Sequence, residues 1–444
     1  MNKNTIEIKY KESALVSEDE IRSAASRLSE YLGFLKSVTL KREYDVPESF
    51  LLLSDDKELF KKTEDMATSF KGDPLKYVVV VGIGGSNLGA SAVYDAIFPK
   101  RNMLSSSHPK LIFSDTTNPR EMEAVKKIVN ENVHDPKEII LNVITKSGTT
   151  VETVANAMVL FEELSSRFGE AEALSRTVIT TDEGSPLWKV AFDKHMHILP
   201  IPKKVGGRYS VFSPVGLFPL LLAGVNISDF ISGAVSIRES LLSENSSENP
   251  ALLCAAIDFL AHKKNFTIYN HFFFHTEMES VGKWGRQLFA ESLGKKYDRK
   301  GNMVYAGMTP IVSLGSVDLH SMVQLYLGGP RDKFTNFISA FNENGDHVAI
   351  PALSPFSSLV PDIIGKDFQK ILSSILGGTM EAYKAEGFPF VETVLPGINE
   401  QTLGRYFMLK MMETILLGKL WDVDAFDQPE VESYKKVARE LLKR

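Results

Sequence analysis

Residues 141–153, LNVITKSGTTVET, join a predicted strand to a predicted helix and indicate the kind of fold to expect. The apolar run 138–144 predicts a buried strand, and the amphipathic pattern from Val151 onward predicts a helix. Between them, residues 145–150 supply four hydroxyl groups, one glycine and one lysine ammonium. A helix N-terminus carries unpaired N–H donors and partial positive charge, which favour a phosphate group. One hydroxyl would be enough to cap the helix, so this richer set indicates a phosphate site.

Predicted strands and helices alternate on both sides of this junction, and the alternation begins again after Gly207. In the first half we predict strands at 77–81, 110–113, 138–144 and 177–180, and helices at 87–97, 119–129 and 151–168. In the second half we predict strands at 265–273, 309–314, 333–340 and 389–394, and helices at 276–292, 319–327, 366–385 and 401–420. This spacing predicts βαβ units, and therefore an α/β fold of two doubly wound αβα sandwich domains that share a crevice.

The length of 444 residues suggests two or three domains. We expect residues 1–54 to form an N-terminal helical arm that packs on the larger domain, with a helix at 17–35. Residues 55–207 would form the first α/β domain and residues 208–420 the second. Residues 421–444 would form a C-terminal helical arm, with its helix at 429–443.

Composition excludes several classes of protein. The formal net charge is −6 and no basic run of useful length occurs, so we expect no nucleic-acid partner. The uncharged stretch 209–228 contains two prolines and two glycines, which a membrane-spanning helix would rarely combine. The first ten residues lack an apolar signal core, and the only cysteine, Cys254, lies in an apolar helical pattern. These features predict a cytoplasmic protein.

A glycine-rich turn, VGIGGSNLG at residues 81–89, follows the first predicted strand. It is either a tight βα turn or part of a dinucleotide fingerprint, with Asp115 as the acid that would bind a ribose. The fingerprint is incomplete, because Asn87 occupies its third glycine position. Ligands of such sheets bind beyond the carboxyl ends of the strands, where this turn and the loop at 145–150 would both lie.

Two further stretches offer side chains suited to catalysis. Arg208 lies between permissive residues in VGGRYSVFSPVG (205–216), so it either points into the crevice as a fixed cation or pairs with a surface acid. Gln287 and Glu291 lie four residues apart and share one face of a predicted helix. An apolar wall beside a carboxylate makes it a better base, although Glu291 taken alone resembles an ordinary surface glutamate.

The histidines give no clear metal signal. His271 and His275, with Glu277 nearby, lie along a predicted strand and do not follow a standard ligand pattern. His320 is isolated at the start of a predicted helix, and Lys435 lies on the last predicted helix, where most lysines are solvated. We therefore expect no metal site.

Several stretches taken together resemble the phosphoglucose isomerase family in its shorter bacterial form, in the same order along nearly the whole chain. They are VGGRYSVFSPVG (205–216), FDQPEVESYK (426–435), the two loops at 82–89 and 145–153, ESLGK (291–295) and GSVDLHS (315–321). One departure is Glu430, where many members have glycine. It affects the local shape before Lys435 but leaves the spacing from Gln428 to Lys435 unchanged.

The resemblance implies an aldose–ketose isomerase for glucose 6-phosphate and fructose 6-phosphate, of SIS-type fold and without a cofactor. Glu291 matches the base that moves a proton between C2 and C1, and Arg208 matches the cation that steadies the enediolate. His320 and Lys435 match the groups that open the sugar ring. In the family this histidine enters from the neighbouring subunit, so a homodimer is implied. The positions that match substrate-binding residues are Gly85, Ser86, Thr145, Lys146, Ser147, Thr150, Gly207, Gln287 and Gln428.

Three alternatives stay open at this point. The first is a sugar-phosphate-binding regulator of the same fold without catalysis, which the combination of Glu291, Arg208, His320 and Lys435 disfavours. The second is a dinucleotide-dependent dehydrogenase, which Asn87 and the second phosphate loop disfavour. The third is an isomerase with additional activity on mannose 6-phosphate.

Overall fold

The computed structural model describes residues 5–98, 108–340 and 347–443. Within these ranges the strands are β1 (Glu7–Lys9), β2 (Tyr77–Val81), β3 (Lys110–Ser114), β4 (Ile139–Ile144), β5 (Thr177–Asp182), β6 (His197–Ile201), β7 (Ile268–Phe273), β8 (Lys295–Tyr297), β9 (Met303–Ala306), β10 (Thr309–Leu314), β11 (Lys333–Ala340) and β12 (Phe390–Leu395). The helices are α1 (Glu18–Ser26), α2 (Ser29–Lys41), α3 (Lys57–Ser69), α4 (Leu88–Ile97), α5 (Pro119–Asn132), α6 (Val151–Phe168), α7 (Glu170–Ser175), α8 (Pro186–Asp193), α9 (Pro214–Leu222), α10 (Ile227–Arg238), α11 (Pro250–Lys263), α12 (Glu279–Leu293), α13 (Val323–Gly328), α14 (Phe368–Ala385), α15 (Glu400–Leu420) and α16 (Pro429–Leu441).

The first sheet contains five parallel strands in the order β3-β2-β4-β5-β6. Val78 and Val80 of β2 pack into one apolar cluster and Val79 and Val81 into another, so both faces of this central strand are covered. The sequence pattern did not predict β6, since Pro200 interrupts it. The structure places β6 at the edge of the sheet, where a missing N–H donor is tolerated.

The second sheet has the order β1-β12-β11-β7-β10. Its last four strands are parallel, and β1 pairs antiparallel with β12 at the edge. A two-stranded hairpin of β8 and β9 follows α12 and was not predicted. One parallel and one mostly parallel sheet, each packed against helices, confirm the expected α/β fold. The division into segments 1–54, 55–207, 208–420 and 421–444 remains a prediction.

Several predicted helices differ in extent from the observed ones. The helix expected at 17–35 is divided into α1 and α2, and α1 begins with a capping box in which Ser17 and Glu20 bond reciprocally. The helix expected at 319–327 starts instead as a 3-10 turn, Val317–Leu319, followed by the short α13. The helix expected at 276–292 likewise opens with a 3-10 turn, Thr276–Met278.

A shared helical layer joins the two sheets. Helix α4, which follows β2, packs along α12, which follows β7. One cluster of buried apolar side chains runs from β2 through α4 and α9 to α12 and α15. The end of β2 is thereby held beside α12, whose last turn carries Glu291.

None of the helices in the described residues combines the length and the apolar composition that a membrane-spanning helix requires.

Helix α15 supports α12 and is itself packed against α10 with almost no space between the backbones. A Cβ atom added at Gly404 would lie 1.9 Å from the carbonyl oxygen of Phe230. We predict that Gly404→Ala lowers the free energy of unfolding by about 1–3 kcal/mol, because α10 and α15 must separate. Gly33→Ala is the matched control, since Gly33 lies in α2 with open space around its Cα, and it should raise stability by about 0.5–1 kcal/mol. Urea unfolding of both variants measures the difference, and equal effects would contradict this account of the packing.

Candidate active site

Two glycine-rich turns from different parts of the chain touch at the centre of the candidate site. The 3-10 turn Gly84–Ser86 follows β2, and the 3-10 turn Gly207–Tyr209 follows β6. A Cβ atom added at Gly85 would lie 2.2 Å from the carbonyl carbon of Gly207 and 2.5 Å from the amide nitrogen of Arg208. Only glycine fits at position 85, and this contact fixes where the backbone of Arg208 lies.

The guanidinium of Arg208 is the most completely bonded group of the site. The residue is 4% exposed. All five of its N–H donors have acceptors: Nε bonds Ser292 Oγ (2.8 Å), Nη1 bonds Glu291 Oε2 (3.1 Å) and Gln428 Oε1 (2.8 Å), and Nη2 bonds the carbonyl oxygens of Ala425 (2.7 Å) and Asp427 (3.2 Å). The guanidinium is therefore held rigidly as a fixed positive charge beside the carboxylate of Glu291.

Glu291 presents its carboxylate between two polar neighbours. One oxygen accepts from Arg208, and the other accepts from Gln287 Nε2 at 3.2 Å, one helical turn earlier on α12. The side chain remains 30% exposed, so a ligand can reach it. The carboxylate expected beside an apolar wall is bonded by Arg208 and Gln287, while Leu288 and Phe289 of the same turn are buried in the core.

Gln287 has a further acceptor for a ligand. Its Oε1 atom is buried and has no hydrogen-bond partner among the described residues, while its Nε2 atom bonds Glu291. The same amide lies against the first glycine-rich turn, since a Cβ atom at Gly84 would be 2.8 Å from Nε2. A ligand hydroxyl that donates to Gln287 would lie next to the carboxylate of Glu291.

The loop between β4 and α6 has the shape of an anion-binding turn. Gly148 has a φ of +70°, which favours glycine. The hydroxyl groups of Thr145 and Thr150 bond each other at 2.8 Å, and the amide of Thr149 donates to Ser147 Oγ at 3.3 Å. Ser147 is exposed, so its hydroxyl and the adjoining amides are accessible to a ligand.

Lys146 connects this loop to the Arg208 segment. Its Nζ atom donates to the carbonyl oxygen of Val205 at 2.9 Å, three residues before Arg208. Burial lowers the pKa of the Lys146 ammonium, and the carboxylate of Asp182 partly offsets that effect. An anion bound in the loop would stabilise this half-buried positive charge.

The first glycine-rich turn contributes Ser86 and excludes part of the dinucleotide interpretation. Ser86 is half-buried in the turn. Asn87 is buried and donates from Nδ2 to Asp115 Oδ2 at 3.2 Å. Asp115, which a dinucleotide site would require for a ribose, is thus bonded within the protein.

The C-terminal helix α16 extends from the Arg208 cluster towards the loop between β4 and α6. Gln428 directly precedes its first turn and bonds Arg208, and near the other end Arg439 Nη2 lies 3.3 Å from the carbonyl oxygen of Thr149. Lys435 lies between these two anchors and bonds Glu432 at 2.9 Å. Glu430 lies in the first turn, where a carboxylate favours the helix.

The structure does not bring His320 to the other predicted catalytic residues within one chain. His320 is exposed at the end of the 3-10 turn Val317–Leu319, and its ring makes no hydrogen bond or ion pair within the described ranges. Asp318 holds this loop by accepting from the amide of Leu314 at 2.8 Å and from Ser321 Oγ at 2.7 Å.

The other histidines do not form a metal site. His271 is fully buried in β7, and burial lowers its pKa well below the usual value. His275 Nδ1 lies 3.5 Å from Glu277 Oε1, as an isolated pair. Within residues 5–98, 108–340 and 347–443, no group of three or more His, Cys, Asp or Glu side chains could hold a metal ion.

The groups that hold Arg208 in place were not predicted from the sequence. Ser292 and Tyr209 bond each other at 2.8 Å behind the guanidinium, and the carbonyl oxygens of Ala425 and Asp427 complete its shell. Ser292 was visible inside the ESLGK motif. The carbonyl groups carry no signal in the sequence, because every residue has one.

Comparison with known proteins identifies relatives over most of the chain. A family model described as Phosphoglucose isomerase matches residues 48–444. The chain is 33% identical over 377 residues to a glucose-6-phosphate isomerase of Carboxydothermus hydrogenoformans, which covers 84% of this chain and 80% of that protein. It is 30% identical over 430 residues to a probable glucose-6-phosphate isomerase of Methanococcus maripaludis, covering 96% and 90% of the two chains. A crystal structure of a hypothetical protein from Thermus thermophilus has a TM-score of 0.85 at 28% identity, covering 99% of this chain and 100% of that one.

We predict that Lys146→Ala weakens binding of inorganic phosphate and of 6-phospho-sugars by about 10- to 100-fold, because it removes a charge-assisted contact. Isothermal titration calorimetry measures both ligands. Lys189→Ala is the matched control, since Lys189 is an exposed lysine on the nearby helix α8, and it should bind as the parent does. If Lys146→Ala binds fructose 6-phosphate as tightly as the parent, the phosphate site lies elsewhere.

Proposed function

Because the chain belongs to the phosphoglucose isomerase family, we propose that it interconverts D-glucose 6-phosphate and D-fructose 6-phosphate. The reaction opens the sugar ring and moves a proton between C2 and C1 through a cis-enediolate. The observation that carries this proposal is the pairing of an accessible carboxylate, Glu291, with a fully bonded guanidinium, Arg208, at 3.1 Å. An assay of the purified protein with fructose 6-phosphate, in the absence of any nicotinamide cofactor in contact with it, tests the proposal directly.

Glu291 and Arg208 have complementary roles in the proposed mechanism. Moving a carbonyl by one carbon needs a base that takes a proton and returns it, and one carboxylate suffices. The enediolate that forms in between carries negative charge, which the guanidinium of Arg208 would stabilise. Since all five N–H donors of Arg208 are bonded to protein oxygens, the guanidinium would act through its fixed positive charge, and little reorganisation is needed as the negative charge develops. Gln287 would orient a sugar hydroxyl through its unpaired Oε1 atom.

The phosphate group of the substrate would bind far from the reacting carbons. We assign it to the loop between β4 and α6, with the first glycine-rich turn beside it. The residues we assign to the phosphate are Ser86, Thr145, Lys146, Ser147 and Thr150, and Gly85, Gly207 and Gln428 shape the remaining wall. Binding energy from the phosphate then holds C1 and C2 against Glu291, which accelerates the proton transfer.

Ring opening needs an acid and a base near the sugar ring, and we assign these tasks to His320 and Lys435. Lys435 lies on α16, whose ends contact Arg208 and the phosphate loop. His320 is exposed, so we propose that it enters the site of a second copy of this chain in a homodimer.

An apolar surface near His320 supports the proposed homodimer. A cavity of about 600 Å³ is lined by apolar side chains that include Ile350 and Phe368, and by the polar residues Ser316, His275, Glu277 and Gln369. Ser316 lies four residues before His320. The adjoining segment exposes Leu353 (93%), Phe356 (71%) and Leu359 (73%). An exposed apolar area of this kind marks an interaction surface, and a second copy is the occupant that would also deliver His320.

Two alternative functions from the sequence analysis remain to be compared with the proposed one. A regulator of the same fold without catalysis is not favoured, because the named relatives are isomerases and Glu291 and Arg208 form a pair here. Activity on mannose 6-phosphate requires a direct assay with that sugar. We propose a cytoplasmic location, with which the buried free thiol of Cys254 is compatible.

We predict that Glu291→Gln lowers turnover by at least about 10²–10⁴-fold while substrate still binds, because the amide cannot accept the proton. His320→Ala should retain far more exchange of the C2 proton with solvent deuterium when an open-chain substrate analogue is supplied, since its task is finished once the ring is open. NMR of the exchange compares the two variants. Exchange by Glu291→Gln at near the parental rate would remove Glu291 as the base.

A mixed dimer tests whether His320 crosses between subunits. We predict that a dimer of one Glu291→Gln chain and one His320→Ala chain, isolated with two affinity tags, recovers about half of the parental turnover, because one of its two sites is intact. Each variant as a homodimer is the control and should stay inactive with the cyclic substrate. An inactive mixed dimer, or a monomeric parent in sedimentation, would show that His320 acts within its own chain.

A further inference from the structure

Lys295 is a buried lysine with no role in the mechanism described so far. It follows α12 as the first residue of β8 and is 5% exposed. Its Nζ atom lies 2.5 Å from the carbonyl oxygen of Glu291, 3.0 Å from the carbonyl oxygen of Asp427 and 3.4 Å from Asp427 Oδ1. Two of the N–H donors of the ammonium are therefore bonded to backbone carbonyl groups, and the charge is paired with the carboxylate of Asp427.

These contacts join two separate parts of the site. The carbonyl oxygen of Glu291 belongs to the last turn of α12, where carbonyl groups lack partners within the helix. The carbonyl oxygen of Asp427 lies at the entrance to α16 and also accepts from Arg208 Nη2 at 3.2 Å. Lys295 and Arg208 thus share one acceptor, and Lys295 connects it to the backbone of Glu291.

The surroundings of Lys295 disfavour a positive charge. Burial lowers the pKa of the Lys295 ammonium, and the charge of Arg208 lowers it further, while Asp427 acts in the opposite direction. An apolar side chain of similar size often replaces a buried charge without loss of stability. A residue that only had to fill this space would therefore not need an ammonium.

We propose that Lys295 is a positioning residue for the isomerisation. Its ammonium holds the backbone of Glu291 and that of Asp427 at a fixed separation, which keeps the carboxylate of Glu291 aligned with Arg208 and with the segment that carries Gln428. This inference rests on the proposed function, because it concerns the same site. An error of about 1 Å in the placement of a reacting group can cost about 10²-fold in rate.

The test compares Lys295→Met with Lys296→Met. Lys296 is the next residue, and its ammonium lies over the ring of Tyr297 at 5.2 Å from the ring centre. We expect Lys295→Met to lower kcat for fructose 6-phosphate by about 10- to 100-fold and to change KM by less than about threefold. Lys296→Met should leave both parameters near the parental values. A parental kcat in Lys295→Met, or a loss confined to KM, would overturn the proposal.

A second measurement separates positioning from general support of the fold. If Lys295 acts through Glu291, then Lys295→Met should change the residual C2 exchange of Glu291→Gln by less than about twofold. An equal loss in both backgrounds would overturn the proposal. Lys295→Gln keeps N–H donors without the charge and replaces Lys295→Met under the same criteria if that variant is insoluble. Insolubility of both would also overturn it, since the role would then lie in holding the fold. An inactive parent would instead contradict the proposed function.

Discussion

The guanidinium of Arg208 is the interaction on which the candidate site depends. It bonds the last turn of α12 through Glu291 and Ser292, and it bonds the segment before α16 through the carbonyl oxygens of Ala425 and Asp427. A buried cation is stable only when its donors are bonded and its charge is balanced. The positions of the two segments are therefore constrained together, because moving either one would leave N–H donors of Arg208 unpaired.

Contacts with the backbone of residues 205–207 extend this constraint to the loop between β4 and α6. Gly85 places the first glycine-rich turn directly against Gly207, next to Arg208 in the chain. Lys146 reaches from the loop after β4 to the carbonyl oxygen of Val205, three residues before Arg208. A continuous set of contacts thus runs from the loop assigned to the phosphate to the guanidinium assigned to the enediolate. Substrate bound at one end would meet a site whose other end is already arranged.

The two sheets explain why this site lies where it does. Strands β2 and β4 are neighbours in the first sheet, so the loops after Val81 and Ile144 leave the same edge, beyond the carboxyl ends of the strands. The packing of α4 on α12 brings the second half of the chain to that edge. Glu291, which we propose as the base, and the loop that we assign to the phosphate come from different halves of the chain, and the shared apolar layer joins those halves.

Local sequence was enough to predict the central strands and the helices that follow them, because periodicity and capping depend on neighbouring residues. It also indicated the loop at 145–150, where hydroxyl groups and Lys146 gather within six residues. The edge strand β6 escaped prediction, since Pro200 is acceptable only at an edge and the order of strands is a tertiary property.

The surroundings of individual side chains were decided by tertiary structure alone. Sequence analysis left Arg208 between two alternatives, and only the folded chain shows its five acceptors, two of which are backbone carbonyl groups. The carboxylate of Glu291 was expected beside an apolar wall, and the folded chain shows that its two oxygens are bonded by Arg208 and Gln287. Contacts between residues far apart in the chain depend on how helices and strands pack, and this packing cannot be inferred from any one segment of the sequence.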